Sequence, residues 1–264
     1  MIDDELKQAI QKRNLILFIG AGVSATLNFP TWSKLLDRMG EELGFDTELF
    51  RRCGDSLMLA EYYSLVKGRL PKLNELLSTE KENVENGLRS SPIYEAIVKL
   101  DCPIIYTTNY DHLIETAYEL HQKSYKRIVD VNDLVNLSPA ETQIVKFHGD
   151  LTVNDSIVLT ESSYFERLNF ESPMDIKLRS DMLGKAILFL GYSLSDINIR
   201  LLIYKLDQLW KKGNLTKRPK SYIFLPTPNE VQERILESRG IVPIVGENLD
   251  KTASMKHFLQ ELCS

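Results

Sequence analysis

Apolar and polar positions alternate along this chain in blocks that predict strands and helices in turn. The first block is a continuous apolar run, residues 15–19, which ends abruptly in a glycine turn. Unbroken runs of β-branched, leucine and aromatic residues are typical of parallel strands that are covered on both faces. Similar runs predict further strands at residues 103–106, 143–147, 157–159, 186–190, 221–225 and 241–245.

Helical periodicity separates most of these strands. Apolar residues recur every three or four positions through residues 32–100, which predicts a helical module inserted between the first and second core strands. Further helices are predicted at residues 5–12, 112–120, 197–210 and 229–239. The alternation predicts an α/β fold, a doubly wound parallel sheet of Rossmann-like type with a helical insertion after the first strand-helix unit. Residues 1–264 are expected to form a single domain.

The glycine turn after the first strand is the first candidate for chemistry. It consists of Gly20, Ala21 and Gly22, with Ser24 close behind. Glycines let a backbone approach a ligand, and the N–H groups of a helix start can hold a pyrophosphate. Such turns also close many strands for steric reasons, so the pattern alone leaves both interpretations open. Asp37 has the spacing of a dehydrogenase ribose ligand, but it falls within a helical pattern, which argues against that class.

Four predicted strands end in polar or glycine-rich clusters, at residues 20–24, 107–111, 148–150 and 191–196. Ligands of open α/β sheets bind beyond the carboxyl ends of the strands, so these clusters predict one nucleotide-sized site with a titratable centre. Alone, His148 would be a structural histidine, Asn109 a turn former and Asp111 a helix cap; together they favour a site. Three other histidines lack this context and are interpreted as surface or packing residues: His112, His121 and His257.

Composition narrows the setting and the partners. The three cysteines are widely separated and odd in number, which argues against disulfides and paired zinc ligands and predicts a reduced, cytoplasmic protein without metal. No signal peptide is visible, and no apolar stretch approaches the ~18 residues that span a bilayer, so no membrane contact is expected. A net charge of −5 argues against direct nucleic-acid binding. The basic run at residues 211–220 is interpreted as a solvated turn.

Four motifs, taken in chain order, resemble those of the sirtuin superfamily. They are Gly-Ala-Gly-Val-Ser, Thr-Thr-Asn-Tyr-Asp, Phe-His-Gly-Asp and Gly-Tyr-Ser, and they span most of the predicted core. The resemblance implies a domain that binds NAD as its substrate. It implies catalytic roles for Asn109, Asp111 and His148, with Asn109 and Asp111 facing the ribose and the nicotinamide. The residues implied to bind the rest of NAD are Gly20, Ala21, Gly22, Ser24, Thr108, Gly191, Ser193 and Asp196.

The departures from the family pattern are equally informative. Deacylating sirtuins carry two cysteine pairs that hold a structural zinc and a phenylalanine-arginine pair after the cofactor-loop proline. Here Pro30 is followed by Thr31 and Trp32, and the helical block stands in place of the zinc module. The pattern is similar to the bacterial sirtuin-like group associated with NAD destruction in antiphage defence, which implies an NAD glycohydrolase. A non-catalytic NAD or ADP-ribose sensor and an NAD-dependent deacylase remain as alternatives.

An unregulated NAD-consuming enzyme would harm its host, so control is expected from assembly or a partner. A homo-oligomer is predicted, with residues 32–100 and the helix at 197–210 as contact surfaces, because that helix is apolar around most of its circumference. A helix sandwiched within the monomer would explain the same pattern. The family resemblance also implies a separately encoded helicase-type motor ATPase as a partner.

Overall fold

The structure, a computed structural model, describes residues 2–68, 70, 81–153, 156–167, 171–192, 197–212, 218–246 and 250–264. Within these ranges, the strands are β1 Leu15–Ile19, β2 Ile104–Thr107, β3 Tyr125–Ile128, β4 Thr142–Lys146, β5 Ala186–Leu190, β6 Ser221–Leu225 and β7 Ile241–Val245. They form one parallel sheet in the order β3-β4-β2-β1-β5-β6-β7. The predicted doubly wound parallel sheet is confirmed.

Helices connect the strands and cover the sheet. They are α1 Asp4–Gln11, α2 Ala21–Ser24, α3 Trp32–Leu43, α4 Thr47–Arg52, α5 Ser56–Lys67, α6 Lys81–Arg89, α7 Pro92–Lys99, α8 Leu113–Leu120, α9 Glu161–Arg167, α10 Pro173–Gly184, α11 Ile197–Lys212, α12 Glu230–Ser238 and α13 Lys251–Leu262. Among the residues described, none of these helices is both long and apolar enough to cross a membrane.

Strand β1 lies at the centre of the sheet because the chain builds outward from it in both directions. Its last residue, Ile19, pairs with Thr107 of β2 on one side and Leu190 of β5 on the other. Alternate β1 side chains enter the two apolar cores that cover opposite faces of the sheet. The carboxyl end of β1 is therefore a topological switch point, where open α/β sheets form their binding crevice.

The helical block between β1 and β2 contributes to two different cores. Helices α3, α4 and α5 build a small core of their own, made of Leu35, Leu36, Met39, Phe50, Leu59, Ala60 and Tyr63, with Leu159 from outside the block. Helices α6 and α7 instead pack on the sheet through residues such as Leu88 and Ile97. Of the intervening segment, residues 69 and 71–80 lie outside the described residues.

Several local features differ from the predictions, and helices α10 and α13 are among the elements that were not predicted. Strand β3 was not predicted, and the run at 157–159 is not a strand. Residues 157–159 form a loop, in which the Val158 N–H donates to the His148 carbonyl at 2.9 Å. The helix expected from His112 begins at Leu113, with His112 as its N-cap residue. The Asp111 carboxylate still accepts the Leu113 N–H at 3.1 Å. Asp111 therefore caps the start of the helix, although it precedes the N-cap residue.

Arg218 and Lys220, two members of the basic run, are paired with acidic side chains. Arg218 lies 2.9 Å from Asp207 of α11, and Lys220 lies 3.0 Å from Asp3. Both acids belong to this chain, so these cations join elements of the fold. Residues 213–217, which complete the run, lie outside the described residues.

Candidate functional site

A cavity of about 750 Å³ opens beyond the carboxyl ends of the central strands. Its volume falls within the roughly 300–1,000 Å³ of small-molecule and cofactor sites. The turns after four strands contribute to its wall: Ala21, Gly22 and Ser24 after β1; Thr108, Asn109, Tyr110 and Asp111 after β2; His148 after β4; Gly191 and Tyr192 after β5. Helices α3, α5 and α9 and nearby residues complete the wall, with Trp32, Leu57 and Phe165 among the apolar contributors.

The glycine turn after β1 is held against the turn after β5. The Gly22 N–H donates to the Gly191 carbonyl at 2.9 Å, and Gly191 itself has a positive φ of 63°. A Cβ on Gly20 would lie 2.4 Å from Cδ2 of Tyr192, and one on Gly22 would lie 2.7 Å from the Gly191 oxygen. A Cβ at either position would clash with the turn after β5, so both positions require glycine. Ala21 and Gly22 are also exposed toward the cavity, so the turn remains open to a ligand.

A chain of hydrogen bonds fixes the two polar side chains of the turn after β2. The Asn109 side-chain amide donates to Ser24 Oγ at 3.0 Å, and Ser24 Oγ donates to Asp111 Oδ2 at 2.9 Å. The other Asp111 oxygen accepts the Leu113 N–H, and the Asn109 N–H donates to Thr107 Oγ1 at 3.0 Å. Asn109, Ser24 and Asp111 are all buried. The cavity thus receives an amide and a carboxylate whose orientations are set before any ligand binds.

Tyr94 of α7 lies behind this chain and was missed by the sequence reasoning. Its side chain is almost fully buried. Burial, together with the negative charge of Asp111, raises the pKa of Tyr94 well above its usual range, so the phenol stays neutral. The sequence carried no signal for this neighbour, because Tyr94 falls within an ordinary helical pattern of apolar residues.

His148 contacts two aromatic side chains, and one of these is held by Arg167. Its Nδ1 lies 3.3 Å from the Tyr164 hydroxyl of α9, and the two rings meet edge to face with centroids 5.1 Å apart. The ring also stacks against Phe147. Arg167 donates to the Phe147 carbonyl and pairs with Asp175 at 2.7 Å. The candidate titratable group is therefore fixed in both position and ring direction.

A buried charged cluster lies beneath the turn after β2. The Lys146 ammonium group lies 3.4 Å from Glu115 and 3.9 Å from Asp150, and all three side chains are buried. His112 Nε2 lies 2.8 Å from Asp150, so this histidine is part of a polar network and not only a surface or packing residue. The ligand atoms of His112, Glu115 and Asp150 lie within 4.8 Å of one another, close enough to bind one metal ion. Lys146 already supplies a positive charge between two of them.

Most of the residues selected from the sequence meet at this cavity. Asn109, Asp111 and His148 line it together. So do the NAD-binding candidates Ala21, Gly22, Ser24, Thr108 and Gly191. Gly20 lies behind the wall, where its N–H donates to the Leu190 carbonyl at 2.9 Å. Ser193 and Asp196 lie outside the described residues.

Residues 103–244 match the family model described as the SIR2-like domain. The chain is 32% identical over 200 residues to NAD(+) hydrolase ThsA of Enterococcus faecium, across 74% of this chain and 40% of that protein. It is 28% identical over 217 residues to Defense-associated sirtuin 2 of Bacillus subtilis, across 78% of this chain and 20% of that protein. A solved structure, that of a Sir2 homologue–NAD complex, is 12% identical with a TM-score of 0.47, across 99% of this chain and 94% of the other. The chain therefore spans less than half the length of these two curated relatives.

Proposed function

Because this chain belongs to the SIR2-like domain family, we propose that it is an NAD glycohydrolase. It would cleave the bond between nicotinamide and ribose in NAD, with water as the acceptor, and release nicotinamide and ADP-ribose. The observation that carries the proposal is that Asn109, Asp111 and His148, which follow two different strands, line one cavity. The similarity to proteins named NAD(+) hydrolase ThsA supports the same chemistry.

We assign binding of the substrate to the exposed backbone of the turns after β1 and β5. Ala21 and Gly22 offer a surface without bulky side chains, which suits the approach of a diphosphate. Gly20 supports this turn from behind, and Ser24 fixes the side chains of its neighbours. The remaining NAD-binding candidates, Thr108, Gly191, Ser193 and Asp196, are assigned by family pattern to the rest of the dinucleotide.

The three catalytic candidates have separate tasks in the proposed reaction. When the C–N bond breaks, its electron pair leaves with nicotinamide, and the ribose carbon becomes oxocarbenium-like. Asn109 positions the water and the ribose, and Asp111 holds the carboxamide of the leaving nicotinamide. As the water oxygen bonds to the ribose carbon, His148 accepts the proton and later returns it to solvent.

We further propose that the activity serves as a regulated NAD-depleting effector in bacterial antiphage defence, in the cytoplasm. The similarity to Defense-associated sirtuin 2 supports this context. Self-association and a separately encoded helicase-type motor ATPase would raise this activity above a basal rate that the purified protein shows with NAD alone. We propose that residues 1–264 act as one sirtuin-like domain, in which the inserted helical module at 32–100 supplies part of the cavity wall.

The test is nicotinamide release by the purified protein supplied with NAD alone. We expect His148→Ala to lower turnover by roughly 10²- to 10⁴-fold, because a placed general base contributes that much. His257→Ala, on the exposed face of α13, is the matched control and should leave turnover unchanged. Release that begins only when an acetylated peptide is added would identify a deacylase. Binding of NAD without any release would identify a sensor, and a His148→Ala protein with parental turnover would refute the assigned role.

A further inference from the structure

We propose that Lys146 is a positioning residue of the candidate site, an inference that rests on the proposed NAD hydrolysis. Its buried ammonium group holds the turn that presents Asn109 and Asp111. Its main-chain carbonyl closes the turn that presents His148. One residue thereby sets the relation between groups that follow two different strands.

The Asp111 carbonyl needs a donor from outside the helix that follows it. Helix α8 begins at Leu113, and the carbonyl of its N-cap residue, His112, accepts the Thr116 N–H at 2.9 Å. The Asp111 carbonyl precedes this first helical acceptor, and Lys146 Nζ donates to it. Because buried carbonyls are costly to leave without a donor, this contact ties down the end of the turn.

The main chain of Lys146 contacts the turn that carries His148. Lys146 is the last residue of β4, and in the sheet it pairs with Thr107, the last residue of β2. Its carbonyl accepts the Gly149 N–H at 3.1 Å, which closes the turn around His148. The side chain and main chain of Lys146 thus contact the two turns at neighbouring strand ends.

The charge of Lys146 lies close to two acidic side chains. The Lys146 side chain is fully buried, and Glu115 and Asp150 lie 3.4 and 3.9 Å from its ammonium group. Taking these charges out of water is costly, and well-packed apolar residues in place of a buried ion pair often stabilise a fold as well or better. Stability alone therefore gives little reason for a lysine at this position. The contact with the Asp111 carbonyl gives the charge a specific task.

The experiment separates this task from simple charge balance. Lys146→Met removes the ammonium group at similar length, but it leaves Glu115 buried without its cation. The double variant Lys146→Met/Glu115→Gln removes both charges of the pair. Arg218→Met is the control, because it breaks another part-buried ion pair, with Asp207, at 2.9 Å and among residues that do not line the cavity.

Four quantities are measured for each variant: melting temperature, kcat and KM for nicotinamide release, and hydrogen exchange of residues 107–113. We expect the double variant to recover most of the melting temperature lost in Lys146→Met. Its kcat should remain roughly 10- to 100-fold below that of the parent, with KM changed much less, because misplaced catalytic groups cost that much. Exchange at 107–113 should be faster in both Lys146 variants. Arg218→Met should lower the melting temperature without lowering kcat.

Two results would overturn the positioning role. One is a double variant with parental kcat, which would mean that Lys146 only balances the charge of Glu115. The other is unchanged exchange at residues 107–113 in both Lys146 variants. If the parent protein itself releases no nicotinamide, the proposed function fails instead. The exchange measurement still decides whether Lys146 holds the turn, because it does not depend on turnover.

Discussion

Gly22 and Gly191 require glycine for different reasons. Gly191 has a positive φ of 63°, a conformation that residues with a Cβ rarely adopt. Gly22 has no such angle, but its Cα faces the Gly191 backbone so closely that no Cβ fits between them. At these two positions the turns after β1 and β5 therefore contact each other through backbone atoms.

A Gly22→Ala substitution should destabilise the fold. Its Cβ would lie 2.7 Å from the Gly191 carbonyl oxygen and 3.0 Å from the Gly191 Cα, and both are backbone atoms that cannot rotate away. We expect a loss of about 1–3 kcal/mol in the free energy of unfolding, measured by urea denaturation. Gly184→Ala is the matched control, because nothing lies within 4 Å of its added Cβ. Equal stability of the Gly22 variant and the parent would contradict the close contact.

Tyr164 is expected to act on His148 through its hydroxyl group. The Tyr164→Phe substitution keeps the edge-to-face ring contact and removes the oxygen that lies 3.3 Å from Nδ1. We expect kcat for nicotinamide release to fall several-fold, about 1 kcal/mol in activation free energy, with little change in melting temperature. Tyr62→Phe, on the exposed side of α5, serves as the control. Parental kcat in the Tyr164 variant would show that ring packing alone orients His148.

Asp150, which follows strand β4, contacts His112 at the start of helix α8. The contribution of Asp150 to the free energy of unfolding should depend on pH. Burial acts to raise the pKa of Asp150. Hydrogen bonds from His112 and Thr152 and the charge of Lys146 outweigh burial and hold the pKa well below its ordinary value of 3.8. A depressed pKa stabilises the fold above the pKa of the unfolded chain, and that stability is lost as the pH falls below it.

An Asp150→Asn variant should therefore show a pH-dependent defect. At neutral pH we expect a loss of about 3–5 kcal/mol, because His112 and Lys146 lose a buried anionic partner. The difference from the parent should narrow once the pH falls below about 4. Urea denaturation at several pH values between about 7 and 3 measures it. Glu48→Gln, an exposed acid paired with Arg52, should cost no more than about 1 kcal/mol at any of these values. A defect that is constant with pH would contradict the depressed pKa.

The elements that were predicted correctly are those whose apolar pattern is decided locally. Strands β5, β6 and β7 have the predicted bounds, because their apolar runs are bounded by turn residues. Strand β3 escaped notice because it lies at the sheet edge and contains Lys126 and Arg127, which stay partly exposed. The run at 157–159 was wrongly predicted to be a strand because it is apolar for another reason. Leu159 is buried by α3, α4 and α5 without pairing in the sheet.

Short sequence motifs were enough to predict which side chains of the strand ends form the candidate site. Asn109, Asp111 and His148 each follow a predicted strand, so convergence of strand ends was enough to bring them together. The partners of these residues depend on distant segments. His112 meets Asp150 only because β2 and β4 are neighbours in the sheet. Lys146 lies within a run that was interpreted as an apolar strand, so the sequence did not indicate that its charged side chain is buried.

Within the described residues, helices α11 and α5 each expose apolar side chains on the surfaces for which we predict self-association. On α11, Tyr204 is 50% exposed, whereas Ile203 and Trp210 are buried, so the predicted all-round apolar helix is partly used within the monomer. The side chains of Leu202, Leu206 and Leu209 lie outside the described residues. On α5, Leu65 is 73% exposed.

We expect light scattering to give a mass of at least twice the 30.3 kDa of one chain. Charged substitutions then distinguish the two surfaces. If α11 forms the contact, Tyr204→Lys dissociates the oligomer and Leu65→Lys does not. If the helical block forms it, the opposite holds. A monodisperse species near 30.3 kDa at micromolar concentration would rule out self-association and leave control to a partner.

The central position of β1 also determines when, during protein synthesis, the cavity can first form. Leu15 pairs with Ala186, so β1 must wait for a neighbour that the ribosome adds much later. At about 5–20 residues per second, the interval is on the order of 10–30 s. Throughout that time the growing chain lacks Gly191 and the turn that meets Gly22. A nascent or prematurely terminated chain therefore cannot bring the turns after β1 and β5 together. We expect the proposed NAD hydrolysis to be absent until translation has passed β5.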